Sequence, residues 1–178
     1  MLKSEIGENS KIMRMENTVQ NILNLQSNLR SYLSNHDLQK DEFNLKVFLE
    51  ERVALLEKNY KEVKFIVDVQ EKTLHLNKDS FARIVDNILS NAAKYNKKDG
   101  EVKISFEDNR LIISDTGKGI KNPKKVFERF YKEQDRGIGI GLHIVKKLCD
   151  EMNIDISLTS KVGAGTIFYL DLSKLTLR

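Results

Sequence analysis

A two-layer α+β sandwich, a mixed sheet covered by helices on one face and preceded by a long helix, is the fold class the sequence predicts. Three observations carry this expectation. Short runs of β-branched, alternating residues are interspersed with longer segments of helical period. Their order lacks the regular strand–helix–strand alternation of a doubly wound parallel sheet. The chain also opens on a stretch from Ser4 to Leu33 with no proline and with Gly7 as its one glycine.

Along that stretch Ile12, Met15, Val19, Ile22, Leu29 and Leu33 recur at three- and four-residue steps, with Gln26 in the one polar slot. This is a heptad-like seam. Packing of the helix on its own domain is the plainer alternative. The narrowness of the stripe, with charged or amide residues elsewhere, suits a helical bundle better. Ser34-Asn35-His36-Asp37 then breaks the helix with cap and turn formers, which divides the chain into residues 1–38 and 39–178. After Asp41 to Leu45 has started the next unit, Val47 to Tyr60 reads as a helix, and Val63 to Val69 and Thr73 to Leu76 as strands. Asn77 and Asp79 offer N-caps to a helix ending near Tyr95. Val102 to Phe106 and Leu111 to Ser114 form a hairpin through Asp108-Asn109. A helix from Gly141 to Met152 and strands over Ile154 to Thr159 and Thr166 to Leu172 complete the pattern.

Composition narrows the function classes. No apolar run in the 178 residues approaches the ~20 that a membrane span needs, and Lys3, Glu5 and Glu8 interrupt any signal-peptide pattern at the start. A cytoplasmic location is expected, as a soluble protein or as the cytoplasmic part of a membrane-bound sensor, without membrane contact by this chain. The net charge of +4 is scattered and lacks the clustered, aromatic-interleaved footprint of a nucleic-acid site, so no nucleic-acid partner is expected. Cys149 is the single cysteine, on the apolar face of a predicted helix, which suits a small buried residue more than a redox centre.

Chemistry concentrates in three stretches. On the helix through residues 79–95, Ile84, Val85, Ile88, Leu89 and Ala92 make the apolar face, whereas Asn87, Asn91 and Lys94 recur on another. Asparagine is a mediocre helix former, so its repetition argues against a merely solvated face. Amide oxygens are neutral, hard ligands, suited to a magnesium ion whose charge phosphates already balance. Next, Asp115-Thr116-Gly117-Lys118-Gly119-Ile120 places a carboxylate where a strand opens into a glycine loop. An aspartic-protease reading fails because no second Asp-Thr/Ser-Gly exists. Finally, Gly137, Gly139 and Gly141 precede an apolar helix, an arrangement that lets backbone N–H groups hold phosphate oxygens. Their spacing is neither the Rossmann G-x-G-x-x-G nor a Walker loop.

Together with Val126-Phe127-Glu128-Arg129-Phe130-Tyr131 and Gly163-Ala164-Gly165-Thr166, these stretches resemble the N, G1, F, G2 and G3 elements of sensor histidine kinases, in family order. The resemblance implies the Bergerat ATP-binding fold shared with gyrase B and MutL, with ATP and Mg2+ as cofactors. It implies that Asn91 coordinates the ion, Asn87 supports the polyphosphate, Lys94 contacts phosphate and Tyr95 lies along the nucleotide. Asp115 would accept from the adenine amino group, with Gly117 and Gly119 keeping the approach clear and Ile120, Phe130, Gly137, Gly139, Gly141, Leu142 and Thr166 completing the site. The lid between Tyr131 and Gly137 is short; Lys132 or Arg136 reaches the γ-phosphate, or the loop is simply a solvated charged one.

Two absences inform mechanism. Gyrase B and MutL carry a water-activating glutamate one turn before the magnesium asparagine, where this chain has Asn87. That favours transfer to a separate nucleophile over hydrolysis. The family's phosphoacceptor histidine lies in an H box, which none of His36, His75 or His143 completes. By the resemblance the chain is the catalytic part of a protein-histidine kinase, preceded by the second helix of its dimerisation bundle. It reads as a fragment or a soluble member that cannot phosphorylate itself alone. Its partners would be a response-regulator receiver domain and, through the N-terminal helix of the full-length protein, a second copy. An anti-sigma-factor serine kinase and a scaffold with a vestigial pocket are the rivals. The N-terminal seam and the Phe127–Tyr131 segment speak against the first, and Asn91, Lys94, Asp115 and the glycines against the second.

Overall fold

The computed structural model describes residues 39–133 and 139–175, together with Met15 and Val19. The predicted N-terminal helix otherwise lies outside the described residues. Met15 and Val19, one turn apart on the predicted seam, are helical and exposed at 67% and 54%.

Strand β1 (Asp41–Asn44) pairs antiparallel with β3 (Thr73–Leu76), Phe43 facing Leu74, in a two-stranded ribbon. Sequence reading assigned no strand to Asp41–Asn44, because four residues with three polar side chains carry almost no alternation signal; the pairing partner decides it. Helix α1 (Leu45–Glu57) follows, capped by the Asn44 side chain, which accepts from the Val47 N–H at 3.2 Å.

The main sheet has five strands: β2 (Val63–Asp68), β4 (Gly100–Glu107), β5 (Arg110–Asp115), β6 (Asp155–Lys161) and β7 (Gly165–Asp171), in the order β2-β4-β5-β7-β6. Only β2 and β4 run parallel; every other neighbouring pair is antiparallel. The β4–β5 turn uses Asp108 and Asn109 at φ 50° and 60°, a left-handed pair that Asp and Asn tolerate and that matches strand twist. This is the hairpin the sequence predicts.

Helices α2 (Lys78–Lys94) and α3 (Gly141–Glu151) lie side by side, and with α1 they cover the sheet. Asn77 caps α2, its side chain accepting from Ser80 N–H at 2.8 Å, while Asp79 sits in the first turn near the positive end of the helix dipole. The apolar face of α2 meets the alternating inward residues Val102, Ile104, Leu111, Ile113, Phe168 and Leu170 of the sheet, all buried. Phe43, Phe48 and Phe81 form a tilted aromatic cluster, with ring centroids 5.1 to 6.2 Å apart, that ties β1, α1 and α2 together. Cys149 is fully buried in this core, and burial pushes its thiol up to about 12, so it is inert packing as expected. The core thus leaves the polar stripe of α2, the end of β5 and the start of α3 to make a site.

Candidate nucleotide site

The site is built where β5 ends, α2 ends and α3 begins. Asp115 is the last residue of β5 and is partly buried. Its Oδ1 accepts from the Gly117 N–H at 2.8 Å and the Thr166 N–H at 3.3 Å. Burial pushes this carboxyl above its ordinary value, opposed by those two backbone donors. Among the described residues no protein donor reaches Oδ2. A fixed carboxylate with one oxygen filled and the other open can receive an N–H of a bound ligand.

The glycines let the segments around Asp115 pack backbone against backbone. A β-carbon on Gly117 would stand 2.6 Å from the Tyr95 carbonyl oxygen, and one on Gly119 2.1 Å from the Lys161 oxygen, at a φ of 69°. Gly165, at φ 108°, lies against the Asp115 carbonyl with no room for a side chain. The loop is stitched down by Lys118 N–H to Tyr95 O at 3.1 Å and Gly163 N–H to Lys118 O at 2.8 Å. Gly165 and Thr166 are thereby brought beside Asp115.

Along α2, Asn87, Asn91 and Lys94 share one stripe, and Tyr95 forms the C-cap with its N–H on Asn91 O at 3.0 Å. The Asn87 amide donates to Arg83 O at 2.8 Å, which orients its carboxamide. Its Oδ1 lies 2.8 Å from where a β-carbon of Gly141 would be, so the third glycine of the G2-like stretch abuts the amide stripe. Leu142 follows in the first turn of α3. The Lys94 ammonium is exposed and lies 5.2 Å from the Tyr95 ring centroid, a cation–π contact.

Phe130 has φ 65° and donates its N–H to Gly139 O at 2.9 Å, pinching together the two ends of the short lid. Lys132 is exposed, and no contact with the rest of the site holds it among the described residues. Arg136 and Gly137 lie outside the described residues. Ile120 is tied to the site indirectly, through Ser160.

Three contributors escaped sequence reasoning. Ser160 accepts from Ile120 N–H at 2.8 Å and lies 2.9 Å from the Thr166 hydroxyl. Glu133 accepts from the N–H groups of Lys121 and Asn122 at 2.9 and 2.8 Å and from the Tyr131 hydroxyl at 2.8 Å. Asn96 receives the Thr116 hydroxyl at 3.2 Å and donates to Glu101 O at 3.1 Å, fixing the chain just after Tyr95. The alternation of β6 places Ser160 on the helix-covered face, an available signal, but serine is too common to single out. No cluster of three or more His, Cys, Asp or Glu that could hold a metal exists among the described residues.

The fold and this site define an ATP-binding domain of a known class. The model of the histidine kinase-, DNA gyrase B-, and HSP90-like ATPases matches residues 76–176, and the chain belongs to that family. The sensor protein SrrB of Staphylococcus aureus is 34% identical over 108 residues, covering 54% of this chain and 18% of SrrB. The chain thus spans about a fifth of the length of the curated relatives it matches. Among solved structures, the mycobacterial sensor histidine kinase MprB superposes with TM-score 0.67 at 23% identity, over 74% of this chain and 95% of that one. Histidine kinase ThkA in complex with response regulator protein TrrA superposes with TM-score 0.71 at 19% identity, over 96% of this chain and 53% of that one. The α+β sandwich is that of histidine kinase catalytic domains.

Proposed function

We propose that this chain is the ATP-binding catalytic part of a sensor histidine kinase and supplies the γ-phosphoryl group that a histidine outside it receives. The observation that carries the reading is Asp115, held by two backbone N–H groups on one oxygen and open on the other, on a floor of close-packed glycines. That geometry suits the exocyclic amine of adenine and opposes guanine, which offers a carbonyl at the same place. Asn91 would hold Mg2+ through its amide oxygen, and Asn87 would support the polyphosphate from the preceding turn. Lys94 would add positive charge, and the backbone around Gly139 and Gly141 would cradle phosphate oxygens. Bound Mg2+ would neutralise charge developing between the β- and γ-phosphates.

The partner proposed is a response-regulator receiver domain, supported by the fold shared with ThkA, whose structure holds TrrA. Dimerisation through residues 1–38 is proposed on the seam pattern. No helix among the described residues is long and apolar enough to cross a membrane. Calorimetric titration with ATP, ADP and GTP, each with and without magnesium, tests the reading. ATP and ADP should bind in preference to GTP, and Asn91→Ala should remove most of the magnesium dependence. Equal affinity for GTP, or an Asn91→Ala variant indistinguishable from the parent, would overturn it.

A further inference from the structure

We infer that Ser160 is a positioning residue for adenine-nucleotide binding, its one hydroxyl joining the two walls between which the base is held. This inference rests on the nucleotide reading of Asp115. The loop after β5 is fastened to the β6–β7 hairpin at two points on either side of Gly119. One is a backbone bond, Gly163 N–H to Lys118 O at 2.8 Å, which any residues could make. The other is Ile120 N–H to the Ser160 hydroxyl oxygen at 2.8 Å, which depends on a single side chain. Gly119 is in the left-handed region with no room for a β-carbon against Lys161 O, so the loop is held close to β6 where Ile120 meets Ser160.

The same hydroxyl touches the opposite wall. Ser160 Oγ lies 2.9 Å from Thr166 Oγ1 and 3.0 Å from Gly165 O. Thr166 is 4% exposed, and its N–H is one of the two donors that orient Asp115. A serine hydroxyl has one proton and two acceptor sites. With one acceptor site taken by Ile120, its proton goes either to Gly165 O, which makes Thr166 the donor to Ser160, or to Thr166, which frees the threonine proton to point into the site. Either way Ser160 fixes the hydrogen-bonding role of Thr166 beside Asp115. It makes no contact with Asp115 itself, so it acts through its neighbours.

The test is ATP and ADP binding to Ser160→Ala, Ser160→Cys and Ser160→Thr, together with amide hydrogen exchange at Ile120. Removing the hydroxyl leaves a part-buried N–H unpaired and should weaken ATP and ADP by the same factor, about 5- to 30-fold, because the change acts at the base and not at the phosphates. Ser160→Cys, a weak acceptor of nearly the same volume, should behave like Ser160→Ala and covers the case in which the alanine variant does not fold. Ser160→Thr keeps the hydroxyl and should restore binding to within about threefold. Ile120 should exchange slowly in the parent and fast in the alanine and cysteine variants, with a melting temperature lowered by a few degrees while the fold is kept. Parent-like affinity in Ser160→Ala or Ser160→Cys overturns the inference while leaving the nucleotide reading standing. So does a loss confined to ATP, or no rescue by threonine. A parent that binds neither nucleotide overturns the nucleotide reading, and this inference with it.

Discussion

The carboxamide oxygen of Asn87 lies 2.8 Å from the point a β-carbon on Gly141 would occupy, so a side chain of α2 keeps the first residue of α3 bare. Asn87 cannot simply swing away, because its amide is bonded to Arg83 O at 2.8 Å. Gly141→Ala should therefore act with opposite signs on stability and on binding. Alanine in place of glycine at a helical position gains about 0.5–1 kcal/mol, part of which the contact consumes, so the melting temperature should hold or rise slightly. Displacing Asn87 should weaken ATP binding about tenfold, the worth of roughly one charge-assisted hydrogen bond. In an Asn87→Ala background the same substitution should leave binding unchanged, since nothing remains to be displaced. A double-mutant cycle by calorimetry reads the coupling, and additive losses would separate the two residues.

Asp115→Asn makes a second prediction, in which pH enters. Burial raises this carboxyl above 3.8, so the folded state holds its proton more tightly than the unfolded chain. Its contribution to stability is therefore fully present below the ordinary value and is lost as pH rises through the raised one. Asparagine removes the buried charge and keeps an oxygen for Gly117 and Thr166. The variant should unfold at a temperature equal to or above the parent's at pH 7, and the gap should close in acid. Binding moves the other way: the open oxygen becomes an N–H₂, which faces the adenine amine donor to donor. ATP affinity should drop by one to two orders of magnitude, and discrimination against inosine triphosphate, which offers a carbonyl there, should vanish.

Most of this site was legible because its residues recur in short, local patterns. Gly117, Gly119 and Gly165 have no room for a β-carbon, and Asn87 and Asn91 stand at the spacing that a helix converts into one stripe. The fold followed from period: among the described residues the strands and helices predicted from Val47 onward all occur, with ends shifted by no more than three residues. What stayed hidden depends on contacts remote in sequence. Strand β1 exists because Phe43 meets Leu74, and Ser160 matters because β6 brings it 40 residues across the chain to Ile120. Glu133 looked like one more charge in a polar loop. Only the folded chain shows it gathering Lys121, Asn122 and Tyr131.

That gathering gives a third expectation. Burial tends to raise the Glu133 carboxyl, but the N–H groups of Lys121 and Asn122 and the Tyr131 hydroxyl outweigh it and hold the group below its ordinary value. A depressed carboxyl stabilises above its unfolded value of 4.5, and the effect is lost as pH falls through the lower folded one. At neutral pH the clamp is intact. Glu133→Ala should release the segment after Ile120 together with the lid stem, and tryptic cleavage at Lys121, Lys124 and Lys132 should quicken several-fold with the melting temperature nearly unchanged. Unaltered cleavage would mean that the segment is held by other contacts.

The last expectation concerns water. A positioned general base is worth about 10²–10⁴-fold in rate, and the turn of α2 that precedes Asn91 offers only the amide of Asn87. The carboxylate beside it in sequence, Asp86, is engaged elsewhere: its Oδ2 lies 3.5 Å from the Arg52 guanidinium of α1. Burial raises that carboxyl, and Arg52 recovers part of the shift. A group so placed braces α1 against α2 and is not aimed at a bound phosphate. Steady-state phosphate release from ATP by the isolated chain should therefore stay near background, and Asp86→Asn should change stability without changing that rate. Robust release that Lys94→Ala abolishes would reveal a base among these residues and move the chain toward the hydrolytic members of its family. Release lost in Asp86→Asn alone would identify that base as Asp86 itself.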